Sequence, residues 1–559
     1  MNYMLISSEC SIEVHIWESY TKRSEFLKSS VSVYGQYSEF YAKNGGFERP
    51  ARLLEKIKKI ESLHGDLSFS DVFDFWGTSK IFSFLDPPQH NNTARIIKLY
   101  ATASVESVKP RSVNDKNRDE GGGKLRVCVI GAGAAGLCAL RHLAKDPNSF
   151  EFEAFEQFDH LGGTWVYTQH TGVDEKTLLP IHSSMYQNLR TNVPGEFMNF
   201  PDWRKTGETN RSCISHEEVL AYLDNYARHF RLHRYITFNS KIETVRPIDH
   251  PTIPGREIWK VKMKNMHNLD TEEKDFDAVM CCNGHCSEPN VPAVPGIGTF
   301  PGQVLHSHDY RKPEPFAGKT VVILGASSSG GDIGIDLCSY AEHVYLSHNT
   351  PRLVSELPVN MTEKLGVSGI EGKRIIFKDG SSVTADVFIY CTGYKYSFPF
   401  LHESCGVSVD ENYVYPLYRH LINAEHPTMC FVGIPALVVA FAMFDVQVRY
   451  FLATLKGVAT LPSRETMLED SVSKTPLKRH AHRLTESQWD YNDLLARDGG
   501  FDPFPPIYKT GYYAWKSQRS RNLVNYQDAK FIVADDGKSV QIVLNDKILI
   551  EYNNNQDNL

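Results

Sequence analysis

Two stretches of small residues are the first places in this sequence where residue type and spacing could do chemistry. One reads Gly131-Ala132-Gly133-Ala134-Ala135-Gly136, the other Gly325-Ala326-Ser327-Ser328-Ser329-Gly330-Gly331-Asp332. In a G-x-G-x-x-G turn the first glycine permits a tight bend, and the second lets backbone approach a pyrophosphate. The third lets a helix pack closely on the strand before it. The helix start then offers unpaired N–H groups and the positive end of its dipole to the phosphates. Glu156 follows Gly136 at about 20 residues, where an acid accepts from the hydroxyls of an adenosine ribose.

In the second stretch Ser327 takes the place of the middle glycine and is still small enough for close approach. The segment Leu346-Ser347-His348-Asn349, at the end of that unit's second strand, holds no acid. An acid there favours a free 2′-OH and repels a 2′-phosphate. Ser347 can donate to a phosphate, and His348 or Arg352 can add positive charge, so this site is read as one for NADPH. Two dinucleotide sites in one chain imply electron flow from a nicotinamide to a flavin. The first site, followed by Gly162-Gly163-Thr164-Trp165, is read as the FAD site.

These turns need elements to hold them. Leu125–Ile130 is a short apolar run, read as a strand, and LCALRHLAK after the glycines has a helical pattern. Phe150–Phe155 is the expected next strand. Ser215-His-Glu-Glu218 is a capping box that opens a helix through EEVLAYLDNYARHF. Ile258–Met263 and Phe276–Cys281 read as strands. Lys319–Leu324 leads into the second turn, Val344–Leu346 follows, Arg374–Phe377 and Ser382–Val383 flank a hairpin signal, and Val387–Tyr390 is a buried strand. The expected fold is α/β, with two Rossmann-like dinucleotide-binding domains and no short-period repeat.

Composition narrows the class. The 559 residues suggest about three or four domain-sized units. With 60 basic against 67 acidic residues the net charge is −7, which recommends no nucleic-acid partner. Eleven Cys, an odd number in so long a chain, do not make a disulfide scaffold. Cys281 and Cys286 are spaced as a redox pair could be, but they read better as thiols at the end of a buried strand. The 22 His show no metal-ligand spacing, and His480-Ala-His482 reads as an exposed basic loop. Cys430–Met443, the longest apolar run, is too short for a bilayer, and no signal peptide is seen. A cytoplasmic or peripherally membrane-associated protein is expected. Arg52–Leu63 has helical spacing, Phe69–Leu85 is rich in aromatics, and Ser104–Lys124 reads as a linker.

Further motifs, in order, resemble those of the flavin-containing monooxygenases, most of all their insect or arthropod branch. Glu156 through Trp165 resembles the family's acid-then-GGTW segment. Tyr186 through Asp202, with Arg190-Thr191-Asn192-Val193-Pro194, resembles its active-site segment. Phe300-Pro-Gly302 through His306 to Tyr310 matches F-x-G-x-x-x-H-x-x-x-Y. Cys391-Thr-Gly-Tyr394 and Phe444-Asp445-Val-Gln447 match later motifs. The resemblance covers roughly residues 125–525 and leaves 1–124 as an unassigned N-terminal extension.

The resemblance implies an NADPH domain, 315–385, inserted into an FAD domain made of 125–314 and 386–525, with a tail at 526–559. It implies an oxidoreductase in which NADPH reduces FAD and O2 forms a C4a-hydroperoxyflavin. Amine nitrogen or thioether sulfur of a small molecule then takes the distal oxygen, as in N,N-dimethylaniline monooxygenases of xenobiotic metabolism. Asn192 is the implied catalytic residue, set against the flavin and the nicotinamide, with Thr191 and Val193 bordering the cofactors. Thr164 and Trp165 would lie along the FAD. Ser329, Gly330, Gly331 and Asp332 would hold the NADP phosphates through backbone and side chain. His306 would orient the two domains at a hinge. A Baeyer–Villiger ketone oxygenase and a catalytically inactive nucleotide-binding flavoprotein stay open as alternatives. Homo-oligomerisation stays open too.

Overall fold

The computed structural model describes residues 123–203, 211–534, 538–545 and 547–552, together with three N-terminal strands. The chain divides into two units, Met1–Pro110 and Arg111–Leu559. In the first, Tyr3–Ile6, Ile12–Trp17 and Lys28–Val33 form an antiparallel sheet. The expected helix at 52–63 and the aromatic stretch at 69–85 lie outside the described residues, as does all but the end of the expected linker.

In the second unit the apolar run Leu125–Ile130 becomes the inner strand of a seven-stranded sheet. It pairs in parallel with Phe150–Phe155 on one side and with Ala278–Cys281 on the other. Strands buried on both faces read as continuous apolar runs, and Val127, Cys128 and Val129 are fully buried. The helix Ala134–Ala144 leaves the turn as expected. The capping box at Ser215 is complete: the Ser215 hydroxyl accepts from Glu218 N–H, and the Glu218 carboxylate accepts from Ser215 N–H. It opens the helix His216–His229.

The expected single strand Phe276–Cys281 is divided at Asp277. Thr271–Phe276 pairs antiparallel in a separate three-stranded sheet, and Ala278–Cys281 joins the seven-stranded one. Asp277 staples this corner: its carboxylate accepts from Arg126 N–H (2.8 Å) and from the Arg256 guanidinium (2.9 Å). An acid in an apolar run thus marks the place where the chain changes sheets.

The second glycine unit is a five-stranded parallel sheet in the order Gln303–His306, Val387–Tyr390, Thr320–Leu324, His343–His348, Met361–Leu365. Its edge strand at 303–306 and its strand at 387–390 lie outside the 315–385 segment. Val387–Tyr390 is the expected buried strand, whereas nothing in the sequence at 303–306 announces one; the hydrogen bonds of both belong to this sheet. Arg374–Phe377 and Ser382–Thr384 form the expected hairpin. The apolar run Cys430–Met443 divides between the strand Met429–Phe431 and the buried helix Ala440–Leu455. Among the described residues no helix is long and apolar enough to cross a membrane.

A buried hydrogen bond ties the first glycine helix to Ala440–Leu455. His142 Nε2 lies 2.7 Å from Asp445 Oδ1, and Arg449 Nη1 lies 3.3 Å from Asp445 Oδ2. Cys138 sits within the same small group. No spacing reveals it, because its third member is remote in sequence. Burial alone would raise the Asp445 pKa, but the hydrogen bond from His142 and the charge of Arg449 outweigh it and hold the group low. Residues 526–552, expected as a tail, contain the antiparallel sheet Lys530–Val533, Val540–Leu544 and Lys547–Tyr552, with Phe531 and Ile542 buried.

Candidate active site

The first turn shows which glycines the protein itself requires. Gly131 has φ +100°, and a Cβ on it would stand 2.8 Å from the Cys282 carbonyl oxygen. A Cβ on Gly136 would stand 1.9 Å from the Gly131 oxygen, so this helix packs on its strand only through a glycine. Gly133 differs. A Cβ there meets only Gly163, its Cα at an ordinary 3.5 Å and its N at 3.8 Å. The chain leaves room at Gly133 that something outside the chain can use. Ala134 and Ala135 are buried at the helix start, and their N–H groups, with that of Gly136, have no partner within the helix.

Glu156 is buried beneath this turn. Its carboxylate accepts from Ala132 N–H at 2.9 Å and Phe158 N–H at 3.1 Å, while burial pushes its pKa up. Gly162 N–H donates to the Ala132 carbonyl, which fixes the Gly163–Trp165 turn over the glycines. The Thr164 hydroxyl oxygen is sealed from solvent with no hydrogen-bond partner among the described residues. Trp165 is half-buried, edge-on to Phe441. An open cradle, unpaired N–H groups and an orphaned hydroxyl fit the diphosphate and ring system of a flavin dinucleotide.

The second turn repeats the first. Gly325 has φ +112°, and a Cβ on it would stand 2.3 Å from the Cys391 oxygen; one on Gly330 would stand 1.8 Å from the Gly325 oxygen. Ser327 has φ −75° and ψ −161°, close to the −75° and −170° of Gly133, so serine adopts the middle position without strain. Three expectations change here. Gly331 N–H already donates to the Ser327 carbonyl, so the helix-start donors left over are those of Ser328, Ser329 and Gly330. The Asp332 carboxylate accepts from the Tyr526 hydroxyl at 3.1 Å, and burial pushes its pKa up to about 6. A carboxylate would repel a phosphate, and this one is turned to Tyr526 instead. Ser347 is fully buried and donates to the Leu365 carbonyl at 2.8 Å, so it cannot reach a 2′-phosphate. His348 is buried beside Glu363, whereas Arg352 is 91% exposed.

The segment with Asn192 lies between these turns in sequence. Thr191 is buried, and its hydroxyl accepts from Ile214 N–H at 3.1 Å. Val193 packs into two apolar clusters. The short helix Gly195–Met198 starts at Pro194 with no side-chain cap, so half-buried Asn192 is not occupied in capping it. Arg190 donates to the carbonyls of Cys213 and Gln527 and to Asp528.

Residues 124–359 and 354–497 match the family model of flavin-binding monooxygenase-like proteins. The chain belongs to this family. Its cofactors are FAD and NADPH. It is 38% identical over 438 residues to flavin-containing monooxygenase FMO GS-OX5 of Arabidopsis thaliana, covering 73% of this chain and 93% of that one. FMO GS-OX3 of the same plant is 37% identical over 398 residues, 67% and 84% of the two chains. Among solved structures, S-allyl-L-cysteine S-oxygenase from Allium sativum superposes with a TM-score of 0.67 at 35% identity, over 73% of this chain and 95% of that one. Tmm from Pelagibacter sp. strain HTCC7211 gives 0.63 at 26% identity, over 73% and 93%. These sequence relatives are plant enzymes, so the comparison does not carry the expected arthropod placement.

The F-x-G-x-x-x-H-x-x-x-Y signature lies on the edge strand of the five-stranded parallel sheet and the turn after it. His306 is buried and its Nδ1 accepts from His308 N–H; burial takes its pKa down to about 4, so the ring is neutral at pH 7. A neutral ring shaping backbone fits an orienting role. The Tyr310 hydroxyl donates to Asp336 at 2.6 Å, and Asn188 donates to the other Asp336 oxygen at 2.8 Å. Asp336, on the second glycine helix, thus joins the signature, the Asn192 segment and the second glycine unit. Sequence reading misses it because both partners lie far from it in the chain. Asp336→Ala is expected to keep the FAD content and slow flavin reduction by NADPH about tenfold in stopped-flow measurements, since misplacement of reacting groups is costly. An unchanged rate would make the contact incidental.

Two other expectations are resolved here. Cys281 and Cys282 are buried, and Cys286 is pushed up to about 11 by burial, so none offers a ready thiolate. His482 is not in an exposed loop: it is 4% exposed, and its Nε2 accepts from Val414 N–H at 3.0 Å. Burial takes its pKa down to about 3, which makes it a neutral structural group.

Proposed function

We propose that this protein uses NADPH and O2 to oxygenate soft nucleophiles of small molecules, thioether sulfur first and tertiary-amine nitrogen second. The observation that carries the reading is the pair of matching glycine turns, with the Asn192 segment tied to the second glycine helix through the hydrogen bond from Asn188 to Asp336. The sulfur preference is supported by the 35% identity to an S-oxygenase.

Gly131, Ala132, Gly133, Ala134, Ala135, Gly136, Glu156, Thr164 and Trp165 would hold FAD. Gly325, Ser327, Ser329 and Gly330 would hold NADPH. FAD, when bound, would supply the redox chemistry that passes two electrons from NADPH to O2, with one oxygen atom for the substrate and the other released as water. Asn192 contributes an amide that donates to negative charge developing on oxygen and accepts from the nicotinamide carboxamide. Buried Thr191 and half-buried Val193 beside it restrict the access of water to that point.

The test is NADPH consumption by the flavin-loaded protein with an alkyl aryl thioether, N,N-dimethylaniline and cyclohexanone in parallel. Sulfoxide and N-oxide are the expected products. Lactone as the main product would replace this reading by ketone oxygenation.

A further inference from the structure

Arg519 lies in the last turn of the C-terminal helix Ile507–Arg521, remote in sequence from both glycine units. Its Nε and Nη2 are sealed from solvent and have no hydrogen-bond partner among the described residues. A guanidinium keeps its charge and can only donate, so closed-off donors of this kind call for an acceptor. The head is packed on the second glycine helix: Nη2 lies 3.7 Å from where a Cβ on Gly331 would be. Its Cζ stands 5.5 Å from the Tyr526 ring centre. Asp332 feels its charge, while the side-chain hydrogen bond that Asp332 accepts comes from Tyr526.

The surroundings hold Arg519 in place. Leu523 N–H donates to the Ser355 hydroxyl at 2.8 Å, and the Gln527 amide donates to the carbonyls of Arg190 and Thr191. The chain from 519 to 528 is therefore fixed both to the NADPH unit and to the Asn192 segment. In the first turns of the helix Ser328–Cys338 a guanidinium with two unpartnered donors lies against Gly331, next in sequence to the leftover N–H groups of Ser328, Ser329 and Gly330. That donor set matches two adjoining phosphates, for which a planar guanidinium is well suited.

We propose that Arg519 binds the diphosphate of NADPH, as a ligand supplied by the C-terminal helix and not by either glycine unit. The proposal rests on the reading of the second turn as the NADPH site. It assigns Arg519 to the part of the cofactor that NADPH and NADH share, and leaves the 2′-phosphate to other groups.

The experiment is calorimetric titration of the oxidised, FAD-loaded protein with NADP+ and, separately, with NAD+. Arg519→Gln is expected to weaken both by the same factor, about ten- to a hundredfold for a lost charge-assisted contact. FAD content and melting temperature stay those of the wild type. Arg519→Lys keeps the charge without the fork and is expected to recover part of the affinity; it also serves if the Gln variant does not fold. Wild-type affinity for NADP+ in both variants would overturn the proposal. So would a loss confined to NADP+, which would assign Arg519 to the 2′-phosphate. A wild-type protein that binds neither nucleotide would instead overturn the reading of the second turn itself.

Discussion

Asn192→Asp is expected to purify yellow, with a full complement of FAD, and to consume NADPH while releasing hydrogen peroxide in place of oxygenated product. The substitution barely changes side-chain volume, and the Asn192 amide caps no helix, so the fold has no reason to suffer. What changes is chemistry at one point. An amide donates through nitrogen and accepts through oxygen, whereas an ionised carboxylate only accepts. It would place negative charge where the reaction develops negative charge. Losing one preorganised donor of this kind costs about 10²–10³ in rate. Oxygenated product per NADPH should therefore fall by about that factor, with peroxide making up the difference. Peroxidase-coupled detection beside product chromatography reads both. Unchanged product yield would remove Asn192 from the reaction.

The second large effect is a loss of flavin without a loss of fold. Gly133→Ala adds one methyl group that meets nothing in the protein closer than 3.5 Å. Stability of the flavin-free form should stay within about 0.5 kcal/mol of flavin-stripped wild type, as for a substitution that breaks no contact. Flavin affinity should fall at least about a hundredfold, because the methyl occupies the approach to the diphosphate. The flavin-to-protein absorbance ratio and a urea melt of both stripped proteins check this. Comparison with stripped protein matters, since bound FAD itself stabilises the folded state. Gly136→Ala is the contrast: its methyl would lie 1.9 Å from the Gly131 oxygen and should prevent folding outright. A flavin-bound Gly133→Ala protein would show that the cradle serves another purpose.

Much of this site is legible in the sequence, because close packing leaves marks that spacing preserves. The glycines at 131, 136, 325 and 330 answer to backbone atoms a few ångströms away, so only one residue type works. The strands before them are apolar because they are buried on both faces. Facing direction is harder to read. Ser347 stands at the right place in the chain for a phosphate, but its side chain lies on the side of the strand that meets Leu365. The acid Asp277 marks a corner between two sheets that an apolar run conceals. Least legible are the groups brought in from afar. Asp336 reaches Asn188 and Tyr310, and Tyr526, Gln527 and Asp528 reach Asp332 and Arg190, across stretches of chain no local pattern records. Arg190 alone carries a hint, as a cation next to Thr191 and Asn192.

The most direct measurement is isotopic. Purified, FAD-loaded protein is given NADPH, an alkyl aryl thioether and ¹⁸O2 in ordinary water, and the sulfoxide is weighed by mass spectrometry against NADPH consumed. The expected result is one ¹⁸O atom in each sulfoxide and one NADPH used for each. Protein that retains no FAD, or sulfoxide whose oxygen comes from water, would contradict the reading of this chain as an oxygen-transferring flavin monooxygenase.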